Sequence, residues 1–408
     1  MPLDVERARA ETPGCRTVTH LNNAGASLAP SPVLEAVIEH LRLEATIGGY
    51  EAAAGRREAT ERAYDAVATL LGARREEIAL VENATRAWDM AFYALPLRTG
   101  DRILTSTSEY ASNVIAFLHL ARRTGVQVEV VPDDASGQLD VGALRELLDE
   151  RVKLIAVNHV PTHNGLVNPA AEIGKVATQA GVPYLLDACQ SVGQLPVDVR
   201  EIGCDLLSAT GRKFLRGPRG TGFLYVSAAF LERLDPPFLD LHAAEWTAPD
   251  SYTVRPDARR FESWESSLAC RIGLAAAVDY ALGLGLEAIE ERVTALAAEL
   301  RERLRAIPGV TVHDRGTRQC GIVTFSVAGH PAGEVAEALA ARKINVSLSA
   351  PEAARYDFER RGLPVLVRAS PHYYNTADEL AALCQVVERL TGRQVTSASG
   401  PNSAFSSA

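Results

Sequence analysis

The chain has 408 residues, 47% of them hydrophobic and 23% charged, the profile of a globular protein large enough for more than one core. A formal net charge of -9 with no basic block argues against nucleic acid or an anionic membrane surface as partner and leaves small-molecule chemistry. Met1 to Thr17 lack the apolar core of a signal peptide and no later stretch is apolar for long enough to span a bilayer, so a cytoplasmic protein is expected. Cys15, Cys189, Cys204, Cys270, Cys320 and Cys384 show neither CxxC nor zinc-type spacing, which fits reduced thiols and no structural metal.

In chain order, Val33 to Thr46 and Thr60 to Leu71 read as amphipathic helices, the second closed by Gly72. From about residue 76 to 226, short β-rich runs alternate with helical patterns, which implies βαβ units around a mostly parallel sheet. The predicted strands are Arg102 to Ser106, Val126 to Val131, Lys153 to Asn158, Pro183 to Asp187, Asp205 to Ala209 and Gly222 to Val226. Helices follow over Cys270 to Leu284 and Leu286 to Ile307, then a strand at Gly321 to Val327, a helix from Pro331 and a strand at Val365 to Arg368. The expected organisation is an N-terminal arm (1–30), a large domain (31–270), a smaller C-terminal α+β domain (271–395) that packs with the arm, and a disordered Ser/Ala/Gly-rich tail (396–408).

The stretch Ser208-Ala-Thr-Gly-Arg-Lys-Phe-Leu-Arg-Gly-Pro-Arg-Gly sets Lys213 on a Gly-rich loop directly after a buried-type strand. Upstream, the apolar strand Tyr184-Leu-Leu ends on Asp187, at the carboxyl edge where open α/β sheets bind ligands. Asp187 can cap the next helix. It can also hold the proton on the pyridine nitrogen of pyridoxal phosphate (PLP), while a lysine carries that cofactor covalently. Asn83-Ala84-Thr85 precedes a helical run and offers either a helix cap by Thr85 or a phosphate cradle. No GxxxxGK[ST] motif is present, and Gly217, Gly220 and Gly222 follow a lysine rather than opening a long helix, which counts against ATP and dinucleotides.

These residues resemble the class V aminotransferase family, which includes cysteine desulfurases, isopenicillin N epimerase-like proteins and the ergothioneine-pathway carbon-sulfur lyase. The resemblance runs over roughly residues 20 to 392. It is carried by His20-Leu-Asn-Asn-Ala-Gly, Asn83-Ala-Thr, Ser108-Glu-Tyr-Ala-Ser-Asn, Asn158-His-Val-Pro-Thr-His-Asn-Gly, Asp187-Ala-Cys-Gln, Thr210-Gly-Arg-Lys and Arg368-Ala-Ser-Pro-His-Tyr-Tyr-Asn-Thr. It implies a PLP-dependent transferase of fold type I, an α/β protein with a mostly parallel mixed sheet in the large domain, and a homodimer with shared active sites. It further implies Lys213 as the cofactor lysine, Asp187 beneath the pyridine nitrogen, Gln190 near the ring hydroxyl, and Ala84, Thr85, Thr162, Thr210 and Arg212 around the cofactor and its phosphate.

Tyr110 stands where desulfurases stack a histidine on the ring, which keeps stacking but changes the proton chemistry. Arg368 falls at the substrate-carboxylate position, where a planar fork suits a bidentate clamp. Asn23, Ala24 and His163 are implied as substrate neighbours, as is Tyr50 from the partner chain. Phe261-Glu-Ser-Trp-Glu-Ser matches a segment that reaches the other subunit's phosphate; Glu265 replaces the usual threonine there, so that role passes to Ser266 or is lost.

PLP chemistry begins with removal of the α-proton and then branches. Desulfurases need a cysteine shortly before the carboxylate-binding arginine, and Val346-Ser-Leu-Ser-Ala-Pro-Glu-Ala-Ala-Arg-Tyr contains none. Gly48-Gly-Tyr, Glu109-Tyr, Arg212-Lys with Gly217-Pro-Arg-Gly, and Ser370-Pro-His with Asn375-Thr resemble carbon-sulfur lyases of the ergothioneine and lincosamide pathways. The expected reaction is therefore β-elimination on an S-substituted cysteine. The alternatives are decarboxylating oxidative deamination, epimerisation, transamination, or a non-enzymatic scaffold, against which Lys213, Asp187 and Arg368 together argue.

Overall fold

The computed structural model describes residues 3–397. After a short arm containing β1 (Thr19–His20), seven strands form the main sheet: β2 (Ile78–Val81), β3 (Arg102–Ser106), β4 (Gln127–Val131), β5 (Val152–Asn158), β6 (Tyr184–Asp187), β7 (Leu206–Thr210) and β8 (Gly222–Val226). Their order is β2-β8-β7-β6-β5-β3-β4, with β4, β3, β5, β6 and β7 parallel and β8 antiparallel to both neighbours. Helices cover both faces, so β3, β6, β7 and β8 are buried along their whole length and read as continuous apolar runs rather than alternating ones.

An exposed hairpin, β9 (Ala244–Ala248) and β10 (Ser251–Val254), pairs Trp246 with Tyr252 across the strands. The helix Leu268–Leu284 packs on the helices Ser31–Ile47 and Arg57–Leu71. At Gly285 (φ +86°) the chain bends by 81° into the helix Leu286–Arg305, which lies instead against the second sheet. That sheet comprises β11 (Val310–Val312), β12 (Val323–Val327), β14 (Ser347–Ser349) and β15 (Leu366–Ala369), in the order β11-β12-β15-β14 and entirely antiparallel. The short β13 (Ile344–Asn345) pairs in parallel with β1 and ties the arm to this part of the chain.

The expected boundary at residue 270 falls inside the helix Leu268–Leu284, because that helix buries its apolar side against the main-sheet helices. The last helix runs over Ala377–Ser397, so residues 396–397 of the expected tail are helical; its remainder, 398–408, lies outside the described residues. Among the described residues no single helix is long and apolar enough to cross a membrane.

Candidate active site

The carboxyl ends of β5, β6 and β7 and the start of the helix Ala84–Phe92 surround a cavity of about 400 Å³. This is the edge at which an open α/β sheet leaves a crevice for a ligand. Its lining brings together Ala84, Thr85, Tyr110, Thr162, Asp187, Gln190, Thr210, Arg212 and Lys213, nine of the sequence-predicted residues, with Asn83, Asn113, Asn158, Val160 and Cys189 added.

Lys213 sits on the loop between β7 and β8. Enclosure by the walls pushes its amine below the ordinary lysine value; Cys189 and Asp187 work against this, Arg212 and Arg368 with it. A lysine whose charge is disfavoured is the form able to act as a nucleophile and base.

The loop itself is held from three sides. Ser27 N donates to the Arg212 carbonyl (2.9 Å), and the buried His372 donates through Nε2 to the Phe214 carbonyl (2.7 Å) while its Nδ1 accepts from Tyr373 N (3.0 Å). Arg216, fully buried with φ +63°, donates its side-chain N-H groups to the Leu28 carbonyl, the Thr12 hydroxyl and the Tyr373 hydroxyl. The arm and the segment after β15 thus fix where Lys213 stands.

Asp187 ends β6 and its carboxylate is oriented on both oxygens: Oδ1 accepts from Cys189 N (2.8 Å) and Oδ2 from Asn113 Nδ2 (3.0 Å). At the opposite wall Asn83 caps the helix Ala84–Phe92, its Oδ1 accepting from Arg86 N (2.9 Å). Gly222 is required there: a Cβ would stand 2.5 Å from the Asn83 carbonyl carbon, so no side chain fits between β8 and this helix start. The cap is thus Asn83 rather than the expected Thr85, which lies inside the helix, and Ala84 and Thr85 face the cavity at a helix N-terminus suited to an anion.

Gln190 donates Nε2 to the Ala24 carbonyl (3.1 Å), and its Oε1 is buried with no partner. Arg368, on β15, donates to the carbonyl and hydroxyl of Thr162 (both 2.9 Å), while its Nε is buried without an acceptor. Burial brings its guanidinium down to about 10. The unpartnered amide oxygen of Gln190 on the cavity wall suits a ring hydroxyl, and the unpartnered Nε of Arg368, which lies behind Thr162 rather than in the lining, suits a carboxylate. The residues present fit PLP and an amino acid.

Other expectations meet a different geometry. Thr210 lines the cavity, but its hydroxyl donates to the Thr221 carbonyl (3.1 Å), and Arg212 donates to the Gly25 carbonyl, so each is partly committed within the protein. Asn23 is buried beneath the site, donating to the carbonyls of His20 and Ser370 and accepting from the Tyr374 hydroxyl; it holds the arm in place. Ala24 takes part through its backbone, as acceptor for Gln190 and donor to the Ser370 hydroxyl.

His163 does not reach the cavity. It is fully buried and its Nε2 lies 2.7 Å from Asp357 Oδ2, an ion-pair geometry that joins the loop after β5 to the helix Arg355–Arg361. Tyr50 and Ser266 lie together in a second cavity of about 490 Å³ with Trp264, apart from Lys213.

Glu109 went unassigned on sequence. It is fully buried and accepts from Tyr110 N (2.9 Å), Asn113 Nδ2 (2.9 Å), Asn158 N (3.0 Å) and Thr105 Oγ1 (3.2 Å). Burial, reinforced by the Asp187 charge, raises its carboxyl to about 8. The usable signal was the spacing of Glu109 and Asn113, four apart at a helix start.

A parallel-centred sheet with a lysine, a strand-end aspartate and a helix-start anion site around one cavity defines a fold that binds PLP. The aminotransferase class-V family model matches residues 19–383, and the chain belongs to that family, whose cofactor is PLP. It is 30% identical over 396 residues to a probable cysteine desulfurase of Methanothermobacter thermautotrophicus, covering 96% of this chain and 99% of that one. With a probable cysteine desulfurase of Xylella fastidiosa it shares 35% identity over 337 residues, 81% of this chain and 80% of the other. Among solved structures, the apo cysteine desulfurase of Thermococcus onnurineus superposes with a TM-score of 0.90 at 29% identity, covering 96% and 99% of the two chains. A cystine C-S lyase shares the fold at a TM-score of 0.83 and 23% identity, over 92% and 99%.

Proposed function

We propose that this protein is a PLP-dependent carbon-sulfur lyase that acts on an S-substituted cysteine by β-elimination, on the pattern of the ergothioneine- and lincosamide-pathway enzymes. The net reaction takes RS-CH2-CH(NH3+)-COO- and water to RSH, pyruvate and ammonium, with no change in redox state. When bound, PLP supplies an electron sink for the charge left at Cα.

The chain's own residues do the rest. Arg368 clamps the substrate carboxylate with its free donors. Lys213, its amine held toward the neutral form, takes the Cα proton. Asp187 would keep the pyridine nitrogen protonated, and Thr85 with the adjoining helix start would receive the phosphate. Tyr110, a partly exposed residue on the cavity wall, would lie against the cofactor and could protonate the leaving sulfur. In a homodimer in the cytoplasm, Tyr50 and Ser266 serve the partner's cavity.

The observation that carries the reading is the thiol-free segment 346–356. Ser347 is the register partner of Arg368 across β14 and β15, so this segment lies beside the carboxylate clamp, where a sulfur acceptor would have to be. It holds no cysteine; Cys204, Cys320 and Cys384 are buried elsewhere, and Cys189, which does line the cavity, lies outside this segment with its thiol pushed well up, first by burial. Likeness to proteins named cysteine desulfurases supports a cysteine-type substrate; a segment without a thiol beside Arg368 favours elimination over a persulfide route.

The test is incubation of the holoenzyme with several S-substituted cysteines and with free cysteine, following pyruvate, released thiol, aldehyde and protein-bound persulfide together. Pyruvate and thiol in equal amounts are expected, fastest with activated leaving groups. Aldehyde with carbon dioxide would move the protein to the decarboxylating branch. A persulfide that depends on one cysteine would refute the reading.

A further inference from the structure

Asn113 Nδ2 stands between two buried carboxylates, 2.9 Å from Glu109 Oε1 and 3.0 Å from Asp187 Oδ2. Each proton of one amide nitrogen is therefore directed at a different carboxylate. Behind it, the remaining lone pairs of Glu109 are taken up by Tyr110 N, Asn158 N and Thr105 Oγ1, which belong to three separate parts of the cavity wall. Tyr110 N, Asn158 N and Asn113 Nδ2 can only donate to Glu109, whereas the Thr105 hydroxyl can also accept, so the carboxyl is fully partnered with or without a proton. Two carboxylates two hydrogen bonds apart in a dry site repel each other unless a cation is shared between them.

We propose that Glu109 and Asn113 are positioning residues for the cofactor: Asn113 orients Asp187, and Glu109 adds a second negative charge to the field that holds a proton on the pyridine nitrogen. The inference rests on the reading that Asp187 faces that nitrogen. Burial and the Asp187 charge raise Glu109 to about 8, so on its own it is largely protonated near neutrality, and a pyridinium held at Asp187 draws it toward the carboxylate. The titratable groups that sense Glu109 are Asp187 and Tyr184 on β6 and Tyr356 on the helix Arg355–Arg361; both phenols are pushed up, by burial first and then by charges that include Glu109. No described cation pairs with Glu109 directly, which leaves the cofactor as the compensating charge.

The experiment compares wild type, Glu109→Gln, Asn113→Ala and Asp187→Asn as holoenzymes, measuring PLP affinity by equilibrium dialysis and the pH midpoint of the visible cofactor band. A negative charge favours protonated cofactor, so its loss in Glu109→Gln should lower the midpoint and weaken PLP by about tenfold. Asn113→Ala leaves the charge in place; it should weaken PLP while moving the midpoint less. A folded Glu109→Gln protein with both quantities unchanged would make Glu109 a backbone tie and overturn the proposal. Should Glu109→Gln fail to fold, Asn113→Ala decides, and unchanged affinity there overturns it equally. If Asp187→Asn itself leaves both quantities unchanged, the reading of Asp187 fails; if it alone disturbs them, only the present inference does.

Discussion

Arg368 is a guanidinium buried with its Nε unpartnered and one amino group spent on Thr162, an expensive arrangement unless a ligand completes it. Arg368→Lys replaces a fork with a point charge and leaves the phosphate cradle untouched, so KM for the amino acid should rise roughly a hundredfold while PLP affinity stays within about twofold. Equal loss of both would assign Arg368 a structural role. The placement of Asp187 and Lys213 in one cavity was legible because Asp187 ends an apolar strand and Lys213 stands on the loop after the next, and strand ends at a carboxyl edge place side chains in a crevice. His163 was not, because its partner Asp357 lies 194 residues away and no local pattern announces that pairing. Glu109 was harder to see because two of its four partners are backbone N-H groups, which every sequence offers.

The helix Arg355–Arg361 is tied down through Asp357, which meets His163 at 2.7 Å and Arg361 at 3.1 Å. Burial raises this carboxyl, but the hydrogen bond and charge of His163, with Arg361, prevail and hold it at about 2. Its folded-state value lies below the unfolded one, so the stability it contributes is present above about pH 4 and is lost as pH falls through about 2. Asp357→Asn should cost roughly 3 kcal/mol at neutral pH, measured by denaturant unfolding, and the gap to wild type should close in acid. A cost unchanged at low pH would show that packing rather than charge holds the helix. Six of the seven main-sheet strands were readable to within a residue because they are short apolar runs between helical patterns, whereas the four-residue edge strand β2 (Ile78–Val81) was missed. The hairpin over 244–254 and the helix Gly49–Gly55 were not, since neither presents a one-sided apolar pattern: Trp246, Tyr252 and Tyr50 are all solvent-exposed in the single chain.

At the scale of the molecule, the arm, the main sheet and the second sheet meet around Lys213. Thr12 and Leu28 of the arm, Arg216 of the lysine loop and Tyr373 beyond β15 are joined by one buried guanidinium, so the cofactor lysine is positioned by segments from both ends of the chain. We propose a division into an arm over 1–30, a large domain beginning at 31 and a smaller C-terminal domain, with the bend at Gly285 as the joint between them. Everything assigned here to reaction, substrate and partner depends on the cofactor standing in this cavity and on this lysine. Borohydride reduction of the yellow holoenzyme, followed by proteolysis and mass mapping, should place the reduced cofactor on the peptide containing Lys213 and on no other. An adduct on Lys153, Lys175 or Lys343, or none at all from protein that had bound PLP, would contradict it.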